Sequence, residues 1–433
     1  MSAQIIDFQR WKAAHPRRAR RSALKGPSGG GKLKNRRRRA REAVMPLLRR
    51  DRSISVHELF SALGGRMIRR GARSAAVSGR VSLGSVRNVL KAALREGLVE
   101  VEGRGVRHYP TKYRLRPAPF TFVDLFSGIG GMRLALEGAG GECVFSCEIN
   151  RRAADTYEAN FKDRPCGDIR GIQPHDIPEH DVMAAGFPCP PWSLAGKRRG
   201  FADPRAALFF NVAELIRVKR PRAVILENVK GLATRGFRSG LAKVVDTLKG
   251  LGYVVHTKVL NALHFGLPQK RERIIIVGFR DDLPFAWPDV IPGTASLADF
   301  LDPEADADPA LLPTEEAAAK VQRIVAAKGT RVFEPAVWHT NLTCNVSVRP
   351  HSVALRAEAS ANYILVNGRR RPSARELLRW QGFPPHFQCL GSYRDVRRQT
   401  GNAVPVPMIR AVAAELRQAL HSECLSPCTW ASA

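Results

Sequence analysis

The sequence predicts an α/β protein with a doubly wound mixed sheet, preceded by a small winged-helix-like domain. From Phe120 onward, short apolar runs alternate with stretches of helical periodicity, which is the pattern of a doubly wound sheet. The chain before residue 118 is strongly basic and has a different order of elements. At 433 residues, the chain is also longer than one ordinary domain requires.

The net charge is concentrated at the front of the chain. Residues 1–117 hold 30 Lys and Arg against 7 Asp and Glu, so they carry +23 of the total formal charge of +31. Such a basic segment favours a polyanionic partner, above all nucleic acid. Residues 1–42, with the run Arg36–Arg39, are predicted to be a basic flexible arm. A solvated tail without a partner is the alternative for this arm.

Cysteine usage and hydropathy exclude several classes of protein. The 8 cysteines include no CxxC pair and are too few for a disulfide framework, so neither disulfides nor a metal site is expected. The sequence contains no run of about 18 apolar residues, so no membrane span is expected. The N-terminus has no apolar segment before a cleavage site, so we expect a cytoplasmic protein, associated with the nucleoid if it binds DNA.

Residues 43–117 are predicted to form the winged-helix-like domain. A capping box, Ser55 to Glu58, opens one helix. A second helix begins near Ser85, because apolar residues recur there at helical spacing. Two strand-like runs, 98–101 and 106–115, then enclose a glycine-containing turn that would be the wing.

The second helix of this domain is the candidate DNA-binding element. Arg87, Lys91 and Arg95 follow one another along it. In winged-helix domains such a helix enters the major groove while the wing contacts the backbone. A basic packing module that makes no DNA contact is the alternative.

The catalytic part of the chain is predicted at 118–283 and 371–421. Strands are predicted at Phe120–Leu125, Val144–Glu148, Val182–Gly186, Ala223–Asn228, Tyr253–Leu260 and Ile274–Phe279. Helices are predicted at Gly130–Glu137, Arg151–Asn160, Ala206–Val218, Ser239–Leu251 and Val406–Leu420. Residues 284–370 are rich in proline and interrupt the alternation, and 422–433 are a tail.

A glycine-rich turn after the first strand predicts a cofactor site. The turn reads Asp124-Leu-Phe-Ser-Gly-Ile-Gly-Gly131. Glycine lets the backbone turn sharply and approach a ligand without a Cβ clash. Glu148 ends the next strand, where a carboxylate can accept both ribose hydroxyls, and Asp168 follows one unit later. The glycine spacing is too short for the pyrophosphate fingerprint of dinucleotide-binding proteins.

Two further motifs follow the third and fourth strands of the alternation. Phe187-Pro188-Cys189-Pro190-Pro191 supplies a thiol in a loop that its prolines stiffen. Glu227-Asn228 comes 38 residues after that cysteine, at the end of another apolar run. A lone buried cysteine is usually inert, so this thiol is a candidate nucleophile only because of the motifs around it.

Taken together, these motifs resemble those of the DNA cytosine-5 methyltransferases, over roughly residues 119–421. The resemblance includes Gln269-Lys-Arg271-Glu-Arg273, the segment Arg375–Pro384 and Gln399-Thr-Gly-Asn402. It implies the Rossmann-like fold of S-adenosylmethionine-dependent methyltransferases, with a target-recognition region at 284–370. Arginines suited to phosphate or guanine contacts are present in that region: Arg331, Arg349, Arg356 and Arg369–Arg371.

The resemblance also implies roles for the residues of the site. Cys189 would add to carbon 6 of a flipped cytosine, and Glu227, as a neutral or proton-sharing carboxyl, would bond the base. Asn228 would orient the loop, Arg271 would contact the base carbonyl and help hold the thiolate loop, and Arg273 would be structural. Residues implied to bind S-adenosylmethionine are Phe126, Gly128, Gly130, Glu148, Asp168, Pro188, Leu208 and Asn402.

The chain departs from the family at two positions. Pro190 stands where the family usually has glutamine, which puts the details of base extrusion in doubt. Asn211 stands where glutamate is frequent. Neither change touches the covalent chemistry.

We therefore expect a DNA (cytosine-5) methyltransferase that acts on a short sequence in duplex DNA as a monomer, with a cognate restriction endonuclease as a functional partner. One alternative is a transfer-RNA methyltransferase, although the Cys-Phe-Thr signature of that class is absent. The other is a DNA-binding regulator with a vestigial catalytic half. A combined hypothesis is that residues 43–117 repress the enzyme's own promoter.

Overall fold

The structure is a computed structural model that divides the chain into two compact units, Met1–Pro117 and Ala118–Ala433. It describes residues 54–55, 83–95, 99–102, 112–115, 118–188, 207–234, 238–291, 293, 295–341 and 343–422. Within these ranges, no helix has the length and apolar character needed to cross a bilayer.

The first unit contains a short antiparallel sheet and one amphipathic helix. Its elements are β1 (Ile54–Ser55), α1 (Leu83–Arg95), β2 (Val99–Glu102) and β3 (Lys112–Leu115), with β3 in the centre of the sheet. Helix α1 begins two residues before the predicted start and buries Val86, Val89, Leu90 and Ala93. The first predicted helix and the predicted wing turn lie outside the described residues.

The second unit is organised around a six-stranded mixed sheet. Its strands are β4 (Phe120–Leu125), β5 (Gly141–Cys147), β6 (Val182–Ala185), β7 (Ala223–Val229), β8 (Val254–Asn261) and β10 (Glu272–Phe279). The spatial order is β5-β4-β6-β7-β10-β8. The first four strands are parallel, and β10 is antiparallel to both of its neighbours. The prediction of a doubly wound mixed sheet is confirmed.

Helices cover both faces of this sheet. They are α2 (Gly131–Gly138), α3 (Arg151–Phe161), α4 (Ala207–Lys219), α5 (Arg238–Gly250) and the C-terminal α9 (Val406–Ser422). Helices α2 and α9 pack on the face that carries Phe120 and Phe122, whereas α4 and α5 pack on the face of Val123 and Leu125. Because both faces are buried, the central strands are continuous apolar runs, which is why the sequence located them.

Within the six-stranded sheet, the largest error in the predicted strands is at the start of β5. The prediction began at Val144, but the strand begins at Gly141, which pairs with Phe120. The early residues of this edge strand lack an apolar pattern because they are only partly buried. A Cβ atom at Gly141 would lie 2.5 Å from the Phe120 ring, so only glycine fits against the neighbouring strand.

Residues 284–370 contain more regular structure than the sequence suggested. They form α6 (Glu315–Ala327) and a three-stranded antiparallel sheet of β11 (Val337–Thr340), β12 (Val346–Arg349) and β14 (Ile364–Val366). A two-residue strand, β13 (Ser352–Val353), pairs in parallel with β9 (Gln269–Lys270). These strands are only two to four residues long, so periodicity did not distinguish them.

Two helices follow this region, α7 (Ala374–Trp380) and α8 (Tyr393–Asn402). Each begins with a capping box, at Ser373 and Ser392 respectively. Leu377, Trp380 and Val396 from these helices share a hydrophobic cluster with Val337 and Ile364 of the small sheet. Hydrophobic packing therefore continues across residue 370.

Candidate active site

The glycine-rich turn connects β4 to α2 at the carboxyl end of the sheet. Phe126 and Gly128 both adopt positive φ, at 58° and 55°, and Gly130 caps α2 with φ of 87°. A Cβ atom at Gly130 would lie 2.2 Å from the Phe161 ring, so this position requires glycine. At Gly128 a Cβ would meet nothing within 4 Å, so this part of the turn faces open space.

Glu148 closes one side of this turn. Its Oε2 accepts a hydrogen bond from the Gly128 backbone N–H at 2.8 Å, and its Oε1 accepts one from the Asn150 N–H at 2.7 Å. Burial raises the pKa of the Glu148 carboxyl, while these backbone N–H groups oppose the shift. The turn and the end of β5 are therefore held together as one cradle.

Asp168 lies beside the same strand end. Cys166 forms a parallel bridge with Cys147, and the Glu148 N–H donates to the Cys166 carbonyl at 2.8 Å. The Asp168 carboxylate accepts from the Arg170 backbone and guanidinium, which lowers its pKa. Asp168 thus follows two residues after the bridge to the end of β5, with its carboxylate bonded to Arg170.

One residue of this cradle escaped the sequence reasoning. Ile149 follows Glu148 and exposes 63% of its surface, which is unusual for a large apolar side chain next to a buried strand. Phe126 and Leu208, by contrast, are half-buried against the hydrophobic cluster that contains Val123 and Leu125. Exposure is a tertiary property, so no sequence pattern distinguished Ile149 from a core isoleucine.

Glu227 lies near the end of β7, beside the loop that leaves β6. Its Oε2 is 3.7 Å from the position that a Cβ on Gly186 would take. Phe187 and Pro188 follow, with Phe187 buried against Phe209 at 5.6 Å between ring centroids. Cys189 and the residues up to 206 lie outside the described residues. The chain that leads into Cys189 therefore starts beside the Glu227 carboxylate.

Asn228 connects the two strand ends. Its side-chain Nδ2 donates to the Phe187 carbonyl at 3.1 Å, and its Oδ1 accepts from the Val229 N–H at 2.9 Å. The residue is buried, so both bonds are shielded from water. This side chain thereby holds the first residues of the cysteine loop against β7.

The two arginines of the Gln269–Arg273 motif have different surroundings. Arg273, not Arg271, faces Glu227, with Nε 2.7 Å from Oε1 in a mostly buried ion pair. Arg271 is 1% exposed and donates to the carbonyls of Leu355, Gly401 and Ala403. The expected assignment of Arg271 to the base and Arg273 to structure stays a prediction, and the described contacts favour Arg273 as the partner of Glu227. Residues 271 and 273 lie on either side of a turn into β10, and the sequence does not say which side faces the pocket.

The closing motif around Asn402 returns to the glycine-rich turn. Val404 Cγ2 lies 3.1 Å from the position of a Cβ on Gly131, the first residue of α2. Asn402 itself is exposed at the end of α8. The Arg271 bonds to Gly401 and Ala403 hold the backbone on both sides of Asn402.

One arginine predicted to contact DNA is unavailable for it. The Arg370 side chain is 3% exposed and forms ion pairs with Glu376 and Asp306. Arg371 donates to the carbonyls of Ala310 and Leu312. The expectation that Arg370 contacts phosphate or guanine is wrong, because its charge is already neutralised inside the protein.

Comparisons with known proteins agree with this arrangement. The family described as C-5 cytosine-specific DNA methylase matches residues 120–318 and 314–418. The chain belongs to this family. Methylases of the family transfer a methyl group from S-adenosylmethionine to carbon 5 of cytosine in DNA, and the sequence-based prediction of this activity is confirmed.

Bacterial relatives are similar over most of their length. The chain is 50% identical to the Type II methyltransferase M.NgoBI of Neisseria gonorrhoeae, over 67% of this chain and 90% of the relative. It is 45% identical to M.HaeII of Haemophilus aegyptius, over 69% of this chain and 93% of the relative. Among solved structures, the Entamoeba histolytica methyltransferase EhMeth is similar in fold at 17% identity, with a TM-score of 0.53 over 71% of this chain and 99% of that protein.

A buried carboxyl of the methylase fold gives stability a dependence on pH. Burial raises the pKa of Asp124, at the end of β4, to about 8, against the attraction of Arg133. The backbone N–H of Arg133 also opposes the shift but does not outweigh burial. The fold thus favours the neutral acid, whose contribution to stability is complete below the unfolded pKa of 3.8 and is lost as pH rises through 8.

We predict that Asp124→Asn, which mimics the neutral acid, becomes more stable relative to wild type as pH rises from 5 to 9. Melting temperatures measured for both proteins across this range provide the check. The comparison cancels other titrating groups that the variant shares with wild type. A difference between the two melting temperatures that does not change with pH would contradict the prediction.

Proposed function

We propose that this methylase acts on a cytosine flipped out of duplex DNA, through a transient covalent bond to Cys189, within a short specific sequence. The observation that carries the proposal is the Glu227–Arg273 ion pair beside Gly186, at the point where the chain enters the Pro188-Cys189 loop. The Glu227 carboxylate, the Arg273 guanidinium and Gly186–Pro188, which lead to Cys189, thereby lie at the same edge of the sheet as the Gly128–Glu148 cradle.

Cys189 would be the nucleophile of this reaction. Its thiolate adds to carbon 6 of the cytosine, and the electrons of the 5,6 double bond make carbon 5 nucleophilic. After methylation, loss of the proton from carbon 5 and release of the sulfur restore the double bond. Asn228 positions the loop through its bond to the Phe187 carbonyl.

Glu227 and Arg273 would hold the flipped base. The Glu227 carboxylate can accept a hydrogen bond from the exocyclic amine and share a proton with ring nitrogen 3, which stabilises the electron-rich adduct. Arg273 orients this carboxylate and can donate to the base carbonyl from the same guanidinium. The fixed ion pair means that neither group has to be ordered when the base arrives.

The cradle fits S-adenosylmethionine. When bound there, this cofactor supplies an electrophilic methyl group. Gly128 leaves open space, Glu148 presents a carboxylate at the strand end for ribose hydroxyls, and Phe126 and Ile149 can enclose an adenine. Asp168, Pro188, Leu208, Gly130 and Asn402 are assigned to the rim of the same site.

The basic N-terminal unit is proposed to bind DNA as a winged-helix-like domain. In α1, Arg87 and Lys91 are exposed on the face opposite to the buried Val86 and Leu90. A basic, exposed helix face suits the major groove. Whether this contact serves methylation or represses a promoter is decided by deleting residues 1–117, since repression predicts retained methylation and lost promoter binding.

The biological setting is inferred from the relatives. Their names as Type II methyltransferases favour a cognate restriction endonuclease as functional partner. We further propose that the protein acts as a monomer on nucleoid DNA in the cytoplasm.

A methyl-transfer assay tests the proposed substrate. We expect labelled methyl groups from S-adenosylmethionine to appear as 5-methylcytosine in unmethylated duplex DNA, in one sequence context, and not in transfer RNA. Product identity is read by nucleoside digestion and mass spectrometry. Labelling of transfer RNA alone, or of adenine or cytosine amino groups, would contradict the proposal.

A further inference from the structure

The segment 352–357 of the recognition region is attached to the catalytic framework. Strand β13 pairs with β9 at Ser352–Gln269. The Leu355 N–H donates to Gln269 Oε1 at 3.0 Å, and the Leu355 carbonyl accepts from Arg271 Nη1 at 2.9 Å. The chain that leads into Arg356 is therefore held by the same motif that supplies Arg273 to the pocket.

The backbone of Arg356 is also held from two other directions. A Cβ on Gly401 would lie 2.7 Å from the Arg356 carbonyl carbon and 2.4 Å from the Ala357 nitrogen, so the closing motif lies directly against it. The Arg356 N–H donates to the Tyr363 hydroxyl at 3.1 Å. A side chain on such a backbone has little positional freedom at its base.

The Arg356 guanidinium lies over an aromatic ring. Its central carbon is 4.9 Å from the centroid of Tyr363, a ring held almost fully buried next to β14. Stacking keeps the guanidinium plane oriented while its N–H groups remain available. In the described part of the chain, no carboxylate lies within ion-pair distance of Arg356 or of Arg349, whereas nearby Arg398 pairs with Glu358.

The surroundings of Arg356 are positively charged. His339 packs its ring perpendicular to Tyr363 at 6.3 Å between centroids. Burial, followed by the charges of Arg356 and Arg349, lowers the pKa of His339 to about 4. Two arginines and a neutral histidine thus meet at one face of the small sheet, which suits a polyanion.

We propose that Arg356 reads a guanine of the target sequence, with its guanidinium donating to O6 and N7 in the major groove. Two features favour a base over a phosphate. The Arg356 guanidinium is stacked and its backbone is held in place, which suits the bidentate geometry of guanine. A contact with phosphate does not need such a fixed orientation, and a flexible side chain can make it. Arg356 also follows directly from the segment bound to the catalytic framework, so the base it reads lies in a fixed register with the flipped cytosine. The inference rests on duplex DNA as substrate.

The test uses the full-length protein and a duplex library with randomised sequence around cytosine, read by sequencing that detects 5-methylcytosine. Wild type is expected to yield a motif that contains guanine. Arg356→Ala and Arg356→Lys are expected to lower methylation of that motif by about 5- to 150-fold, the range for one bidentate contact, and to accept other bases at one guanine position. Arg349→Ala, an exposed and unstacked control, is expected to keep the motif and to weaken the salt dependence of DNA binding.

The outcomes are distinct. No methylation by wild type would overturn the proposed function rather than this inference. An unchanged motif in Arg356→Lys, with a uniform loss of rate across sequences, would overturn the inference and assign Arg356 to phosphate. Because lysine keeps the charge and the aliphatic stem but lacks the fork, this variant decides the question even if Arg356→Ala is poorly folded.

Discussion

Cys189→Ala is expected to abolish methyl transfer, with a fall in kcat on the order of 10⁴-fold or more, as removal of a covalent nucleophile causes in other enzymes. Without the sulfur, carbon 5 of the cytosine keeps its low nucleophilicity and has no reason to attack a methyl donor. The residues that lead into the loop support this expectation, because Asn228 holds the Phe187 carbonyl and the Glu227 carboxylate lies beside Gly186, three residues before the cysteine.

Duplex DNA that contains 5-fluorocytosine gives the direct measurement. After addition of the thiolate and transfer of the methyl group, fluorine at carbon 5 prevents the proton loss that releases the sulfur, so the complex survives denaturing electrophoresis. We expect this adduct with wild type and S-adenosylmethionine, and none with Cys189→Ala. Cys344→Ala, which removes an exposed cysteine of the recognition region, is the matched control. An adduct that persists without Cys189 would contradict the covalent mechanism.

Arg271→Lys and Arg273→Lys are expected to fail in different ways. Arg271 satisfies three buried carbonyls that join β10, the recognition segment and the closing motif. A lysine ammonium cannot bond all three carbonyls from one point, so Arg271→Lys should lower the free energy of unfolding by about 3 kcal/mol. Arg273 orients Glu227 without joining distant segments, so Arg273→Lys should keep its melting temperature and lose about 10²-fold in kcat.

Melting temperatures and single-turnover methylation of both variants provide the check. Since the two substitutions are chemically identical and only two residues apart, each variant is the control for the other. A stable but inactive Arg271→Lys, together with an unstable Arg273→Lys, would restore the roles that the family resemblance implied.

The central strands could be predicted from the sequence because strands buried on both faces consist of continuous apolar residues. Strands β6 and β7 are buried on both faces and were recognised as apolar runs. The edge strand β5 and the small sheet of the recognition region were recognised poorly or not at all. The first residues of β5 are only partly buried and leave a weak pattern, and the pairing of β5 depends on a distant partner, as Gly141 does on Phe120. The strands of the small sheet are three or four residues long, which is too short for a clear period.

The same division applies to the site. Motif chemistry identified Glu148, Glu227 and the glycine-rich turn, since each residue type is needed where a strand ends. It gave no reason to single out Ile149, which is exposed, and it did not predict that Arg273 rather than Arg271 pairs with Glu227. Which of two arginines faces a pocket depends on the direction of a short turn and on the carbonyls that the other can reach.

By itself, the sequence determined the fold class, the family and the chemical groups that the reaction needs. These properties depend on residue type and order, which the sequence contains in full. The tertiary structure alone decided which cations form ion pairs inside the protein and which do not. Arg370 is paired with Glu376 while Arg356 is stacked on Tyr363, because electrostatic pairing depends on distances between segments that the sequence leaves undefined.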